Sequence, residues 1–97
     1  MALTSPVQAR FRCGQLVLPQ TSRNILQRYC AQARTYFRRH LKGDWGDVSP
    51  GRWRANDCAL RDGETLHSSY ELSPEWALEI VTEWDRSTTT LSIVPIH

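Results

Sequence analysis

No acidic side chain occurs in the first 42 residues of this 97-residue chain, which hold eight cations: Arg10, Arg12, Arg23, Arg28, Arg34, Arg38, Arg39 and Lys42. Residues 43–97 carry only four arginines against ten carboxylates, so a net charge of +2 conceals halves of +8 and −6. Such asymmetry calls for an acidic partner on the basic half, or for the two halves to pack on one another. Cysteine is scarce as well. Cys13, Cys30 and Cys58 are odd in number and widely spaced, with no Cys-x-x-Cys pair. That argues against a disulfide framework and predicts reduced thiols in a cytoplasmic setting. The N-terminus lacks the basic and apolar regions of a signal peptide, and no apolar run approaches the length of a membrane span. No Gly-rich phosphate loop, Gly-x-Ser-x-Gly or His-Glu-x-x-His is present, which removes the commonest nucleotide-binding, serine-hydrolase and zinc-protease signatures.

What remains is a globular composition, 40% hydrophobic with four Trp and three Tyr. The length suits one core and no second one. The expected organisation is a flexible tail over residues 1–10 and a single domain over residues 11–97. Arg12 to Leu18 reads as a short strand, with Gly14 marking a bulge or a close backbone approach. Thr21 or Ser22 can cap a helix running from about Arg23 to Leu41 and stopped by Gly43. In helical projection Ile25, Leu26, Tyr29, Cys30, Ala33, Tyr36, Phe37 and Leu41 share one arc, and Arg23, Arg28, Arg34, Arg38, Arg39 and Lys42 share the opposite one.

Gly43-Asp44-Trp45-Gly46-Asp47 follows as a hinge. Ser49 as N-cap, Pro50 at the first helical position and Gly63 beyond the end predict a second helix over 50–62. From Thr65 the period changes to two. Leu66, Ser68, Tyr70 and Leu72 alternate with polar neighbours, as do Trp76, Leu78, Ile80, Thr82 and Trp84, and then Thr89, Leu91 and Ile93. Turns at Ser73-Pro74-Glu75 and Asp85-Arg86-Ser87 separate these strands. The fold class predicted is therefore α+β in the order β-α-α-β-β-β, with a C-terminal three-stranded antiparallel meander packed on two helices.

Three kinds of site can be drawn from these residues. The basic helical face is the first, with Arg28, Arg34, Arg38, Arg39 and Lys42 as candidate partner-binding residues. Trp84 and Arg86 form a possible second patch, since an indole and a guanidinium together suit an interface. The hinge is the second kind: His40, Asp44 and Asp47 could gather a divalent cation, although hard cations want more oxygen ligands than these. The aspartates serve better as acceptors that hold the turn while Trp45 plugs the core, so no metal and no cofactor is expected. The third kind is catalytic. Cys58 or Cys13 could be posed with His67 or His40, and Glu83, Asp85 and His67 as an acid–base set, yet a free cysteine on a helix usually behaves as a small hydrophobe. No catalytic residue is assigned, and the chain is expected not to be an enzyme.

The run Gly43-Asp44-Trp45-Gly46-Asp47, then Asn56-Asp57-x-Ala59-Leu60-x-x-Gly63, Ser69-Tyr70, and Ile80-Val81-Thr82-Glu83-x-Asp85-Arg86-Ser87-x-Thr89-Thr90-Leu91 resembles a family of small proteins found on bacterial plasmids, integrative elements and phages. The resemblance covers roughly residues 43–93, with a weaker echo in Phe11-x-x-Gly14-Gln15-Leu16-Val17. It implies a mobile-element origin, a cytoplasmic setting and no assigned activity. The Arg-rich first helix and Trp84 depart from the family pattern and mark where a partner of its own would bind. By analogy with other small proteins of such elements, anti-CRISPR proteins among them, the expected function is a non-catalytic inhibitor of a host defence complex. The expected partner is a host protein or ribonucleoprotein complex, with direct nucleic-acid binding as the alternative and no membrane association. A regulator that binds nucleic acid through the basic helix, and a small enzyme or metal-binding protein built on the hinge carboxylates, are the competing expectations.

Overall fold

In a computed structural model, which describes residues 9–96, the chain forms a four-stranded sheet covered on one face by three helices. In chain order these are β1 (Gln15–Val17), α1 (Gln20–Arg28), α2 (Ala33–Leu41), α3 (Pro50–Asp62), β2 (Leu66–Glu71), β3 (Trp76–Thr82) and β4 (Thr88–Pro95). The strand order is β1-β4-β3-β2. The β2–β3 and β3–β4 pairs are the antiparallel meander, while β1 lies parallel to β4, with Gln15 opposite Thr88 and Val17 opposite Thr90. The α+β class and the meander stand as the alternation predicts.

The period-two face is the buried one. Leu66, Ser68, Tyr70, Leu78, Ile80, Thr82, Thr89 and Leu91 all point under the helices with almost no exposed surface. Leu26 of α1 and Phe37 of α2 pack on Tyr70, Leu78, Ile80 and Leu91. A second cluster joins Trp45, Ala59 of α3 and Leu66, with Phe11, Val48, Trp53 and Leu60 around it. Burying the Trp45 indole, about 200 Å², is worth up to about 5 kcal/mol of transfer free energy.

The long helix expected over 23–41 is two helices. α1 begins three residues earlier than its predicted start, with Pro19 as N-cap, so Ser22 lies inside the helix. Its buried hydroxyl accepts the backbone N–H of Ile93 (3.1 Å) instead of capping. The break follows at Tyr29. Cys30 adopts a left-handed backbone (φ 53°), its N–H bonds to Gln27 O (3.1 Å), and the Ala31 N–H bonds to Leu26 O (2.9 Å). This is the Schellman ending that usually uses glycine, completed by packing of Ala31 on the core cluster that contains Leu26. Cys30 is therefore exposed, not part of an apolar face. Because a non-glycine residue in this conformation costs about 1 kcal/mol or more, Cys30→Gly is expected to raise the thermal midpoint by a few degrees in a calorimetric scan. A lowered midpoint would show that the Cys30 side chain contributes contacts of its own.

α3 needs no correction. Ser49 Oγ accepts the Arg52 N–H (3.1 Å), Pro50 opens the helix and Gly63 (φ 74°) closes it. The expected tail over 1–10 lies mostly outside the described residues. At its end the Arg10 N–H bonds to Leu41 O (2.9 Å), which fastens that residue to the last turn of α2. Gly14 makes the close approach its position suggests, since a Cβ there would sit 2.2 Å from Ser87 O.

The β2 edge of the sheet is covered. On the outer edge of β2, the Asn56 side chain accepts the His67 N–H (3.2 Å) and donates to His67 O (2.8 Å), replacing a neighbouring strand. The hinge continues that role: Ser69 N–H bonds to Trp45 O (3.1 Å), Asp47 N–H to Ser69 O (2.6 Å), and Asp47 Oδ2 accepts the Glu71 N–H (2.8 Å). An edge so paired presents no free ladder to another chain.

Candidate binding surface

α2 is the element that positions the cations. Ala33, Tyr36, Phe37 and His40 face the sheet and fix the roll of the helix. Arg34, Arg38 and Lys42, four residues apart, therefore share the outer face, all exposed. Their Cβ atoms fall about 5–6 Å apart over a row about 12 Å long. None of the three takes part in an ion pair among the described residues. Cations in the last turn also suit the negative end of the helix. The helix then stops in a second Schellman ending at Gly43 (φ 84°), with Gly43 N–H to His40 O (3.0 Å) and Asp44 N–H to Arg39 O (2.9 Å).

That ending removes Arg39 from the basic face. It swings Asp44 back beneath the helix, where Arg39 Nε meets Oδ2 at 2.8 Å and Nη2 meets Oδ1 at 3.4 Å. The guanidinium lies 4.5 Å from the centre of the Tyr70 ring. The hydrogen bond from Arg39, ahead of every other influence, holds the Asp44 carboxyl below the usual carboxylate range. Both side chains are about two-fifths exposed, so the pair contributes well under about 1 kcal/mol and matters for geometry more than for stability. Arg28 closes α1 and is exposed, but the break at Cys30 puts it on a different helix from the row.

Trp84 and Arg86 also part company. The indole is 62% exposed on the β3–β4 connection. Arg86 turns inward instead: its guanidinium donates to Glu64 O (2.6 Å), Glu83 O (3.1 Å) and Ala59 O (3.2 Å), and sits 5.7 Å from the centre of the Phe11 ring. It ties the end of α3 to the hairpin and is not a free recognition group.

The hinge residues do not converge on an ion. Asp44 is engaged with Arg39 and with the Gly46 N–H (3.2 Å), Asp47 with Glu71, and His40 points away into the core. Trp45 is fully buried, its indole N–H donating to Asp57 Oδ1 (3.0 Å), and the Tyr70 hydroxyl donates to Asp44 O (2.6 Å). Burial pushes the Tyr70 phenol up to about 12. Among the described residues no three of His, Cys, Asp and Glu lie where they could hold a metal.

A buried polar chain runs through this region: Ser68 Oγ to His40 Nδ1, His40 Nε2 to Thr82 Oγ1 (2.8 Å), Thr82 Oγ1 to Thr89 Oγ1 (2.7 Å), and Thr89 Oγ1 to Cys13 O (2.7 Å). Its polarity follows from the far end, because a carbonyl can only accept. Thr89 donates to Cys13 O and so accepts from Thr82, Thr82 accepts from His40 Nε2–H, and Nδ1 accepts from Ser68. His40 is therefore the neutral Nε2–H tautomer. Ser68 and His40 have no exposed surface, so this serine–histidine contact meets no substrate. No hydrogen bond joins a posed cysteine–histidine pair among the described residues: Cys58 is exposed on α3, the Cys13 thiol donates to Gly14 O (3.5 Å), and His67 Nε2 lies 3.5 Å from Glu79 Oε1. An open groove of about 490 Å³ between α3 and β2 includes Arg52, Asn56, Cys58, Asp62, Glu64 and His67. Its charges have both signs, and its Asn56 is committed to the β2 edge.

Sequence reasoning posed His40 as a metal ligand or a base and missed its place in the core, and it gave Asn56 no role at the sheet edge. His40 had a signal, since it projects between Tyr36 and Ala33, in the middle of the apolar arc. No helix among the described residues is long and apolar enough to cross a membrane. Comparison of the chain with protein families, with curated proteins and with solved structures finds no match.

Proposed function

We propose that this protein is a small, non-catalytic, cytoplasmic binding module of a bacterial mobile element, which captures an acidic surface on a host protein or ribonucleoprotein and so blocks a defence complex. The observation that supports this reading is the Arg34, Arg38, Lys42 row, three exposed cations along α2 and its C-cap that take part in no ion pair among the described residues. The mobile-element and defence parts rest on the resemblance over residues 43–93.

The test is capture by tagged protein from a bacterial host lysate, before and after nuclease treatment. Arg34→Glu/Arg38→Glu/Lys42→Glu is expected to lower recovery of a specific target at least tenfold, with the thermal midpoint unchanged. Arg39→Gln, which alters the hinge pair and not the row, is expected to keep it. Equal recovery with the triple variant would sink the assignment. If the row instead follows phosphates, the purified protein binds duplex or single-stranded oligonucleotide directly, and affinity falls with a log–log salt slope of about −3. That result, with capture lost to nuclease, would replace the protein target by nucleic acid.

A further inference from the structure

Trp84 is the most exposed large apolar side chain among the described residues. It stands between Glu83 and Asp85, both also exposed, on the connection from β3 to β4. This tip is not a loose loop. Glu83 N–H bonds to Thr88 O (3.0 Å), Arg86 N–H to Glu83 O (2.8 Å) and Ser87 N–H to Asp85 Oδ1 (3.1 Å). The Arg86 backbone is left-handed (φ 60°), which turns its guanidinium under the hairpin to the carbonyls of Glu83, Glu64 and Ala59. The indole is thus presented on a braced scaffold, and little ordering remains to be done on binding.

The tip and the α2 row are complementary. The tip offers an indole flanked by two carboxylates, neither in an ion pair among the described residues; the row offers two guanidiniums and an ammonium, equally unpaired. Guanidinium over indole is the strongest of the cation–π pairings, and flanking opposite charges set its register. No ion pair joins the two surfaces within one chain. We propose that the hairpin tip of one copy docks on the α2 row of a second copy, and the reverse, in a two-fold dimer that forms each contact twice. This rests on reading the row as a protein-binding surface. A two-fold arrangement closes the set, whereas a head-to-tail one would grow. Two hairpin-on-helix contacts bury less than a standard interface, so the dimer is weak and reversible, and a stronger acidic target displaces the tip from the row.

Sedimentation velocity on the purified chain tests this. In low salt the weight-average sedimentation coefficient is expected to rise from monomer toward dimer as concentration increases from about 5 to about 500 µM, and to return to monomer when salt screens the contact. Trp84→Ala, which truncates a largely exposed indole, is expected to weaken the dimer at least tenfold with little change in the thermal midpoint. Glu83→Lys/Asp85→Lys and Arg34→Glu/Arg38→Glu/Lys42→Glu are each expected to be monomeric. Mixed in equal amounts they are expected to form a heterodimer, because each tip again meets a row of opposite sign. A wild type that stays monomeric, a dimer indifferent to these variants, a mixture that stays monomeric, or assembly beyond the dimer would each overturn the proposal. A monomeric wild type whose row variant still loses its captured target leaves the proposed function standing, so the two can fail separately.

Discussion

Gly46→Ala is expected to unfold most of the protein at room temperature, while Gly63→Ala is expected to leave it folded. Both glycines have positive φ, at 80° and 74°, so each substitution carries the backbone cost of a left-handed alanine, about 1 kcal/mol. At Gly63 nothing lies within 4 Å of the new Cβ and that cost is the whole effect. At Gly46 the Cβ would lie 2.2 Å from Ser69 O and 2.5 Å from Tyr70 Cδ1. The oxygen is backbone on β2 and also accepts the Asp47 N–H, so relief requires the hinge to lift off the sheet edge. Lifting it would withdraw Trp45, the largest fully buried side chain, and strip the Ser69 and Glu71 edge bonds. Loss of a buried indole alone costs about 3–5 kcal/mol, against a total of about 5–15 kcal/mol for a domain. Urea unfolding followed by Trp fluorescence measures it. A Gly46→Ala midpoint close to that of Gly63→Ala would mean that the hinge is not pinned to β2.

What the sequence made legible divides along the same physical line. α3 was readable to the residue, because its cap, its proline and its terminal glycine are local chemistry. The strands were readable because Leu66 to Tyr70, Trp76 to Thr82 and Thr89 to Ile93 each put one face inward. The break between α1 and α2 was not, since Cys30 takes a glycine's conformation without being glycine and Tyr29, Cys30 and Ala33 carry the apolar arc across the gap. The parallel pairing of β1 with β4 joins residues more than 70 positions apart, which no local pattern encodes. The cationic residues show the same split. Arg34, Arg38 and Lys42 follow from four-residue spacing alone. Arg39 shares their arc and Arg86 belongs to the second patch, yet the partners of both exist only once the chain has folded: a carboxylate returned by the turn at Gly43, and three carbonyls gathered from α3, the residues just after it and the hairpin.

His40 is expected to make the protein acid-sensitive over an unusually wide range. Burial, with smaller contributions from the charges of His67 and Arg86, lowers its imidazole to about 3, from about 6.5 in the unfolded chain. Between those values the unfolded chain binds a proton that the folded one refuses, so stability falls as pH drops through the window and is regained as it rises. The full excursion is worth about 4–5 kcal/mol, most of it developed between pH 6 and pH 3.5. Asp44 acts in the same direction, but only near and below the ordinary carboxylate range, and its exposure makes its share small. The two are separable by His40→Gln, which offers an amide donor and acceptor to Thr82 and Ser68 but cannot take up the proton. The variant is expected to lose about 1–3 kcal/mol at pH 7 from imperfect bonding in the buried chain. Its stability is then expected to decline much less than the wild type's between pH 6.5 and pH 4. Urea unfolding at half-unit steps of pH gives both curves, and nitrogen-15 shifts of the imidazole report the Nε2–H tautomer directly. Parallel curves, or a His40 that titrates near 6.5 in the folded protein, would show that water reaches the ring and that the chain from Ser68 to Cys13 is open.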